Sequence, residues 1–564
     1  MNLKYIELAL FGVLVAALGA GCEKSEPARN ASVATQPAPA PPGETVARLH
    51  WLGKKRLAAE TTGTNFMGIL NLPASAKLEA QTLDKLSIAP WRPAPDVAAA
   101  KKAAAGTNAA PSFTNAAAAK LRPLLDDLVS EESFLEVRQL ANQTGELAFA
   151  IRLSDERAGL WETNLAAVLE SLTSVRPVAA TGDRHGWSLK QAHWPKLIEL
   201  ARVGEWTVVG AAAEQNGLLG EMRVRIQRDH VPVAPPGSNV WIAADFDLRR
   251  VATAMGLDWK IPAEWPRISL TMASEGENVL TRGTLNFAQP LPFELEAWNI
   301  PTNLIHDPLV GFTAIRGVSS WLSSLKLWKD LELGAPPKQL YLWALSGMPL
   351  QTYFAAAIPD AAKPFGQLTS RLLNEGNVWL ATNGMGSFQR STDGVTGWVG
   401  VPFAAPHLEV LTNDALEYLY GGFFPLGAST NPLPVELYYA VTNRPNLALY
   451  DWEFTGARVD GWIFLAQTMR LMLGQPQLPV GSAGLNWLQK AGPMLGNCAT
   501  ALTRTGNNQL TLARSSTVGF TAFELHLLAD WLESPEFPRG LHSLSVPTDF
   551  KKSPADPPDG TGSP

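Results

Sequence analysis

Residues 267–287 read RISLTMASEGENVLTRGTLNF, and this stretch decides the fold class of the chain. Apolar and polar residues alternate along 267–273 and again along 279–287, as expected for strands with one covered face. Between these arms, Ser274-Glu275-Gly276-Glu277-Asn278 supplies the small and polar residues that favour a tight turn. The stretch therefore predicts an antiparallel hairpin.

Similar patterns recur on both sides of this hairpin. Before it, we predict strands at 146–153, 186–193 and 206–212, and a helix that presents Trp161, Leu165, Val168, Leu169 and Leu172 on one face. After it, we predict strands at 339–345, 377–381, 386–392 and 397–402, helices at 361–374, 458–473, 485–495 and 521–533, and a hairpin of 498–504 with 509–515. We expect an α+β fold in which mainly antiparallel sheets carry amphipathic helices on one face.

Changes in composition suggest the domain organisation. We assign 1–21 to a signal peptide, 22–45 to a disordered Pro/Ala-rich tether, 46–290 and 291–545 to two α+β lobes, and 546–564 to a disordered tail. The alanine-rich range 97–120 is expected to be a surface insertion in the first lobe. The sequence NVWIA at 239–243 returns as NVWLA at 377–381, which favours an internal duplication.

The chain begins with a short apolar leader. Lys4 precedes an apolar run at 8–20, which is shorter than the roughly 20 residues that span a bilayer as a helix. The run ends at Leu18-Gly19-Ala20-Gly21-Cys22, which resembles the lipobox of bacterial lipoprotein signal peptides, with its leucine four positions before the cysteine instead of three. The resemblance implies cleavage before Cys22, lipidation of its thiol and, through Glu23, sorting to the outer membrane facing the periplasm. An ordinary secretory peptide and an uncleaved anchor are the alternatives.

Charge and cysteine content narrow the classes of partner and fold. The formal net charge is -6 and no basic run is longer than Lys54-Lys55-Arg56, so we expect no nucleic-acid partner. Cys22 and Cys498 are the only cysteines, and acylation of Cys22 would leave Cys498 without an intramolecular partner. With 46% hydrophobic residues, the chain can build large cores without disulfides.

The sequence contains no motif that names a chemistry. It has no G-x-G-x-x-G, no P-loop and no H-E-x-x-H, so we predict neither a cofactor nor a metal site. Ser323-Ser324-Leu325-Lys326 fits S-x-x-K, but the companion motifs S-D-N and K-T-G are missing, and no catalytic residue is assigned. The acidic residues Asp126, Asp127, Glu131 and Glu132 are expected at a solvated helix end.

The nineteen tryptophans are the most unusual feature of the composition. Indole rings can stack on sugar rings, although most of these residues lie in apolar periodic segments and are expected in cores. Four of them have polar or turn residues as neighbours. These four, Trp187, Trp194, Trp398 and Trp452, are our candidates for ligand stacking.

Three classes of function remain. Our hypothesis from the sequence is a non-catalytic, membrane-tethered envelope lipoprotein with a structural role or a protein or glycan partner. The alternatives are a hydrolase-type envelope enzyme whose site is assembled from distant residues, and a carrier of an apolar ligand between helices and a sheet. Converging charges in a deep pocket would indicate the enzyme, a dry cavity the carrier, and a flat aromatic or polar face the binding protein.

Overall fold

The computed structural model describes residues 43–60, 62–92, 116–142, 144–180, 185–190, 197–212, 217–233, 237, 239–257, 259, 261–325, 328–329, 334–347, 351–358, 360–382, 384–400, 404–413, 416–425, 431–472, 482–534 and 537–538. The predicted signal peptide, nearly all of the tether, the tail and most of the range 97–120 lie outside these residues. Two boundaries are corrected. The first strand already begins at Glu44, inside the expected tether, and residues 116–120 begin a helix in which Ala117 and Ala118 are buried.

The described residues form an α+β fold, as the sequence predicts, and strands and helices alternate throughout them. The strands are β1 (Glu44–Trp51), β2 (Ser133–Gln139), β3 (Gly145–Arg152), β4 (Val178–Ala179), β5 (Gly186–Lys190), β6 (Leu197–Val203), β7 (Trp206–Ala212), β8 (Val240–Phe246), β9 (Arg267–Glu275), β10 (Asn278–Asn286), β11 (Leu309–Arg316), β12 (Gln339–Leu345), β13 (Thr352–Ala357), β14 (Ser387–Arg390), β15 (Thr396–Val399), β16 (His407–Asn413), β17 (Leu416–Gly422), β18 (Leu447–Phe454), β19 (Asn497–Gly506) and β20 (Gln509–Ser516).

The α-helices are α1 (Lys54–Leu57), α2 (Thr64–Leu70), α3 (Pro73–Ile88), α4 (Ala116–Ser130), α5 (Asp155–Thr173), α6 (Leu218–Asp229), α7 (Leu248–Ala254), α8 (Ser319–Ser324), α9 (Ala362–Arg371), α10 (Asn377–Thr382), α11 (Val435–Thr442), α12 (Thr455–Met472), α13 (Ala483–Ala491) and α14 (Ala522–Glu533). Short 3-10 segments follow α3 and α13 at Ala89–Trp91 and Gly492–Met494, and a π-helical turn at Leu372–Gly376 links α9 to α10.

Residues 267–287 form the predicted hairpin. Glu275 pairs with Asn278 across a two-residue turn, and Gly276 adopts a φ of 61°, which a glycine tolerates without strain. Successive residues of β10 point to opposite sides of the sheet. Thr281 and Gly283 are buried on one side, and Arg282 between them is exposed on the other.

All pairings between the described strands are antiparallel, and they join the strands into one sheet. From edge to edge its order is β4-β5-β6-β7-β3-β2-β1-β8-β9-β10-β20-β19-β18-β11-β12-β13-β17-β16-β15-β14. The order of β1–β10, which we call the first half, is repeated by β11–β20, the second half. The halves meet where β10 pairs with its counterpart β20, with Arg282 opposite Ala513.

The short sequence echo does not correspond to this repetition. Val240 begins strand β8, whereas Asn377 begins helix α10, so the strand predicted at 377–381 is wrong. The Asn377 amide donates to the carbonyl of Phe388, and its oxygen accepts the Phe388 N–H. The side chain of Asn377 thus bonds to the backbone of strand β14, and residues 377–381 do not form the strand that the sequence suggested. A five-residue apolar window does not distinguish a helix from a strand by itself.

Helices cover both faces of the sheet, not one face as expected. In the first half, α4, α5 and α7 cover the face that carries Val137 and Phe149, which we call the cavity face. Helix α6 covers the opposite face, which carries Phe134 and Ala148 and which we call the groove face. Successive residues of a strand point to opposite sides, so both faces of these strands are apolar.

Candidate functional site

An apolar cavity of about 80 Å³ lies on the cavity face of the first half. Helices α4 and α5 form its roof, and strands β3, β6 and β7 form its floor. Its lining contains no charged side chain and consists of Pro90, Leu121, Leu124, Leu125, Leu128, Leu147, Phe149, Trp161, Leu165, Val168, Leu169, Leu172, Ile198, Val209, Gly210 and Ala211. The volume is enough for several water molecules, but the lining side chains offer them almost no hydrogen-bond partners.

Local sequence explains the roof. Ser154 caps the N-terminus of helix α5, since its hydroxyl accepts the backbone N–H of Arg157, and the acidic Asp155 and Glu156 in the first turn suit the helix dipole. The five apolar residues predicted to share one face of this helix are all buried, which confirms that prediction. Helix α4 contributes leucines spaced three or four residues apart, so they also face the cavity.

An ion pair with a buried carboxylate joins the two roof helices. Arg157 of α5 donates from Nε to Oδ1 of Asp127 at 3.0 Å and from Nη2 to Oδ2 at 2.7 Å. The indole Nε1 of Trp161, a cavity residue, donates to the same Oδ2 at 2.9 Å. The Asp127 side chain is only 8% exposed, so the solvated helix end expected there is wrong for this residue. The pair fixes the position of α5 on α4 beside the cavity.

A groove of about 480 Å³ lies on the groove face, across strands β2, β1, β8, β9, β10 and β20. Its lining combines apolar residues with hydroxyls and charged groups, and it comprises Arg48, Leu49, His50, Phe134, Leu135, Val233, Ala243, Ala244, Asp245, Ser269, Leu270, Thr271, Arg282, Gly283, Thr284 and Thr511. Cavity and groove therefore offer two different chemistries on opposite sides of one sheet.

A buried histidine lies at one end of the groove. The Nε2 of His50 is 3.1 Å from Oε1 of Glu132, and the imidazole stacks on Phe134 with 4.2 Å between ring centroids. Burial raises the pKa of the Glu132 carboxyl, but the His50 hydrogen bond and the Arg56 charge outweigh that effect and lower it overall. Among the residues that the structure describes, Nδ1 of His50 has no hydrogen-bond partner.

A second polar cluster is buried in the second half, on strand β18. The carboxylate of Glu453 accepts the N–H of Ala522, the first residue of helix α14, at 2.6 Å. Asp451, two residues away on the same side, accepts the Thr313 hydroxyl at 2.6 Å. Burial raises the pKa of both carboxyls, and that of Glu453 rises to about 7. Sequence reasoning missed this cluster because its members come from distant segments with no common motif.

The tryptophans proposed for stacking do not form one surface. Trp187 is only 5% exposed and its Nε1 donates to the carbonyl of Glu162, so its ring belongs to the core and is closed to a ligand. Trp398 is partly exposed on β15 and Trp452 partly exposed on β18. Six strand spacings separate β15 from β18, which is about 29 Å along the sheet.

Two predicted site residues, Cys22 and Trp194, lie outside the described residues. Within the described ranges, no three His, Cys, Asp or Glu side chains come together in a way that could hold a metal ion. None of the helices described combines the length and apolar content needed for a membrane span.

Comparisons with known proteins give little similarity. No family model matches the chain, and no curated protein matches it. Two solved structures are similar to part of it, crystal forms I and III of TP0453, each with 10% sequence identity and a TM-score of 0.20 over 42% of this chain and 99% of that chain. A similarity of this size says nothing about function.

Proposed function

We propose that this chain is an exported, membrane-tethered lipoprotein of the bacterial envelope that binds an apolar ligand without catalysing a reaction. The apolar cavity beneath α4 and α5 is the observation that supports binding of this kind. The export and anchoring part rests on the leader and on the resemblance at Cys22. The proposal therefore joins the lipoprotein hypothesis drawn from the sequence to the alternative of an apolar-ligand carrier, which the cavity favours.

The chemistry of the cavity indicates the class of ligand. Burying apolar surface contributes about 25 cal/mol per Å², whereas a polar group placed there without a partner costs one or more kcal/mol. A hydrocarbon segment, such as part of a fatty acyl chain, satisfies these conditions.

Titration with dansyl-undecanoic acid, followed by dansyl fluorescence, tests the binding. Ala211→Phe places a ring in the cavity and should weaken binding at least about tenfold, which corresponds to 1.4 kcal/mol. Ala119→Phe makes the same change on the exposed side of α4 and should leave the affinity unchanged. Equal affinities of the two variants would refute binding in this cavity.

Fractionation tests the anchor separately. Cys22→Ala should move the protein from the membrane to the soluble fraction and change its electrophoretic mobility, because the acyl chains are lost. Mass spectrometry of the native protein should find a modified N-terminal cysteine. An unmodified thiol behind an intact Met1 would contradict export as a lipoprotein, whatever the dansyl titration gives.

We also propose that the two halves arose by duplication of one ten-stranded unit. The repeated strand order of β1–β10 and β11–β20 supports this idea, whereas the echo at 239–243 and 377–381 does not. An experimental structure tests it directly. If residues 44–286 and 309–516 superpose strand for strand in that order, duplication is supported, and a different order in either half would refute it.

A further inference from the structure

The groove exists in the first half because small residues occupy its floor. Residues directly opposite each other in an antiparallel sheet project from the same face. One such row runs from His50 through Ala243 and Thr271 to Arg282. It continues in the second half through Ala513, Ala501, Tyr450 and Ala314.

Ala243 and Tyr450 are equivalent positions in this row. Each lies two strands away from the central β10 and β20 pair, on β8 and β18. Tyr450 is 8% exposed and belongs to a core cluster, so a large ring fills the place in the second half. In the first half the equivalent residue is Ala243, and its methyl group leaves the space open.

Arginines stand at two sides of the open space. Arg282 is exposed, and within the described part of the chain its guanidinium has no ion pair or hydrogen bond. The Arg48 side chain is 52% exposed and donates to Glu136 at 3.2 Å, although that carboxylate is also bound by Arg225 at 2.7 Å. Both guanidinium groups therefore keep donors that a ligand can use.

The remaining polar groups of the groove do not cancel this charge. Asp245 already accepts from Arg267 at 2.7 Å and from the Ser269 hydroxyl at 2.8 Å. Thr271 lies directly opposite Arg282 in the same row and Thr284 lies in the next row, and both of their hydroxyls are uncharged. The groove thus combines two guanidinium groups with hydroxyl groups, and both kinds of group can donate hydrogen bonds to an anion.

We propose that this groove binds a ligand that presents carboxylate or phosphate groups, with Arg282 and Arg48 as its charged contacts. The planar guanidinium group pairs with both anions through two parallel hydrogen bonds. Three strand spacings, about 14 Å, separate β1 from β10, so a ligand that engages both arginines lies across the strands. The site is on the opposite side of the sheet from the apolar cavity and does not depend on the proposed acyl binding.

Calorimetric titration of the full chain with inorganic phosphate and with glutarate at low ionic strength tests this inference, since salt would screen the contacts. Arg282→Gln should weaken binding at least tenfold. Arg249→Gln removes an exposed arginine of helix α7, outside the groove, and should have no effect. Ala243→Tyr should close the groove as Tyr450 does and produce the same loss.

A second arm identifies the source of the anion. The same variants are sedimented with phosphatidylcholine vesicles that contain or lack phosphatidylglycerol. Loss of soluble-anion binding in Arg282→Gln supports a free ligand, and a loss confined to the anionic vesicles supports a lipid headgroup. If no probe binds, or if binding is equal in Arg282→Gln and Arg249→Gln, the inference is overturned. Because Arg282 is exposed, that comparison stands even where Ala243→Tyr fails to fold.

Discussion

Replacing Glu453 by glutamine should stabilise the fold at alkaline pH and leave it unchanged in acid. The carboxyl is 6% exposed, and burial is the main cause that raises its pKa from 4.5 to about 7. The hydrogen bond from the Ala522 N–H opposes this effect, and the nearby Asp451 adds to it. Glutamine keeps a carbonyl oxygen that can accept the same N–H but carries no charge.

The sign and size of the effect follow from proton linkage. Between pH 4.5 and about 7 the folded state binds more protons at Glu453 than the unfolded state, so the free energy of unfolding falls as pH rises through that window. The difference in pKa corresponds to about 3 kcal/mol at about 1.4 kcal/mol per pKa unit. This penalty is absent below pH 4.5 and complete above pH 7.

Urea unfolding, monitored by tryptophan fluorescence, measures this pH-dependent difference in the free energy of unfolding. We expect Glu453→Gln and the natural chain to unfold at the same urea concentration near pH 4, and the variant to be more stable by about 3 kcal/mol at pH 8.5. Glu436→Gln, at an exposed position of α11, is the matched control and should follow the natural chain at both values. A gain that is the same at pH 4 and pH 8.5, or a natural chain that is the more stable at pH 8.5, would refute the reasoning.

Three other substitutions test the cavity and the sheet. Asp127→Asn should destabilise the protein by about 1–3 kcal/mol in urea unfolding, because an amide cannot accept all the hydrogen bonds that Arg157 and Trp161 donate to the buried carboxylate; no measurable loss would show that the ion pair does not hold the roof. Leu165→Ala should cost about 2–5 kcal/mol and increase the affinity for bulkier apolar probes in the same fluorescence titration, since it enlarges the cavity; an unchanged preference for probe size would contradict the assignment. Gly186→Ala should lower the thermal midpoint, because a Cβ would lie 2.1 Å from the carbonyl oxygen of Leu200 at a φ of +140°; an unchanged midpoint would mean that β5 does not pair as described.

Local patterns predict local structure in this chain. The hairpin at 267–287 and the apolar face of α5 could be identified because their signals, a period of two residues and a period near 3.6, lie within one short window. Strand β12 and strand β7 coincide with their predicted ranges for the same reason. The segment at 377–381 failed because an apolar pentapeptide fits either period.

Long-range arrangement could not be predicted in the same way. The pairing of β10 with β20 joins residues more than 220 positions apart, and no local signal specifies it. The burial of Asp127 depends on Arg157, 30 residues later, so its own neighbours suggested a solvated position. The sequence predicts the buried face of α5, which lines the cavity roof. The cavity itself also requires α4 and strands β3, β6 and β7 to pack against that face, and no local pattern specifies this packing.

The join between β10 and β20 has a consequence for how the chain can be divided. Eight residue pairs connect these strands, from Val279 with Ser516 to Asn286 with Gln509. A fragment that stops after β10 would leave that strand as a free edge with unsatisfied amides and carbonyls, which invites self-association. Because β10 pairs with β20 in antiparallel fashion, the β10 edge of a second copy of the fragment could take the place of β20. Splitting the protein at its midpoint should therefore yield dimers or aggregates instead of independent monomeric domains.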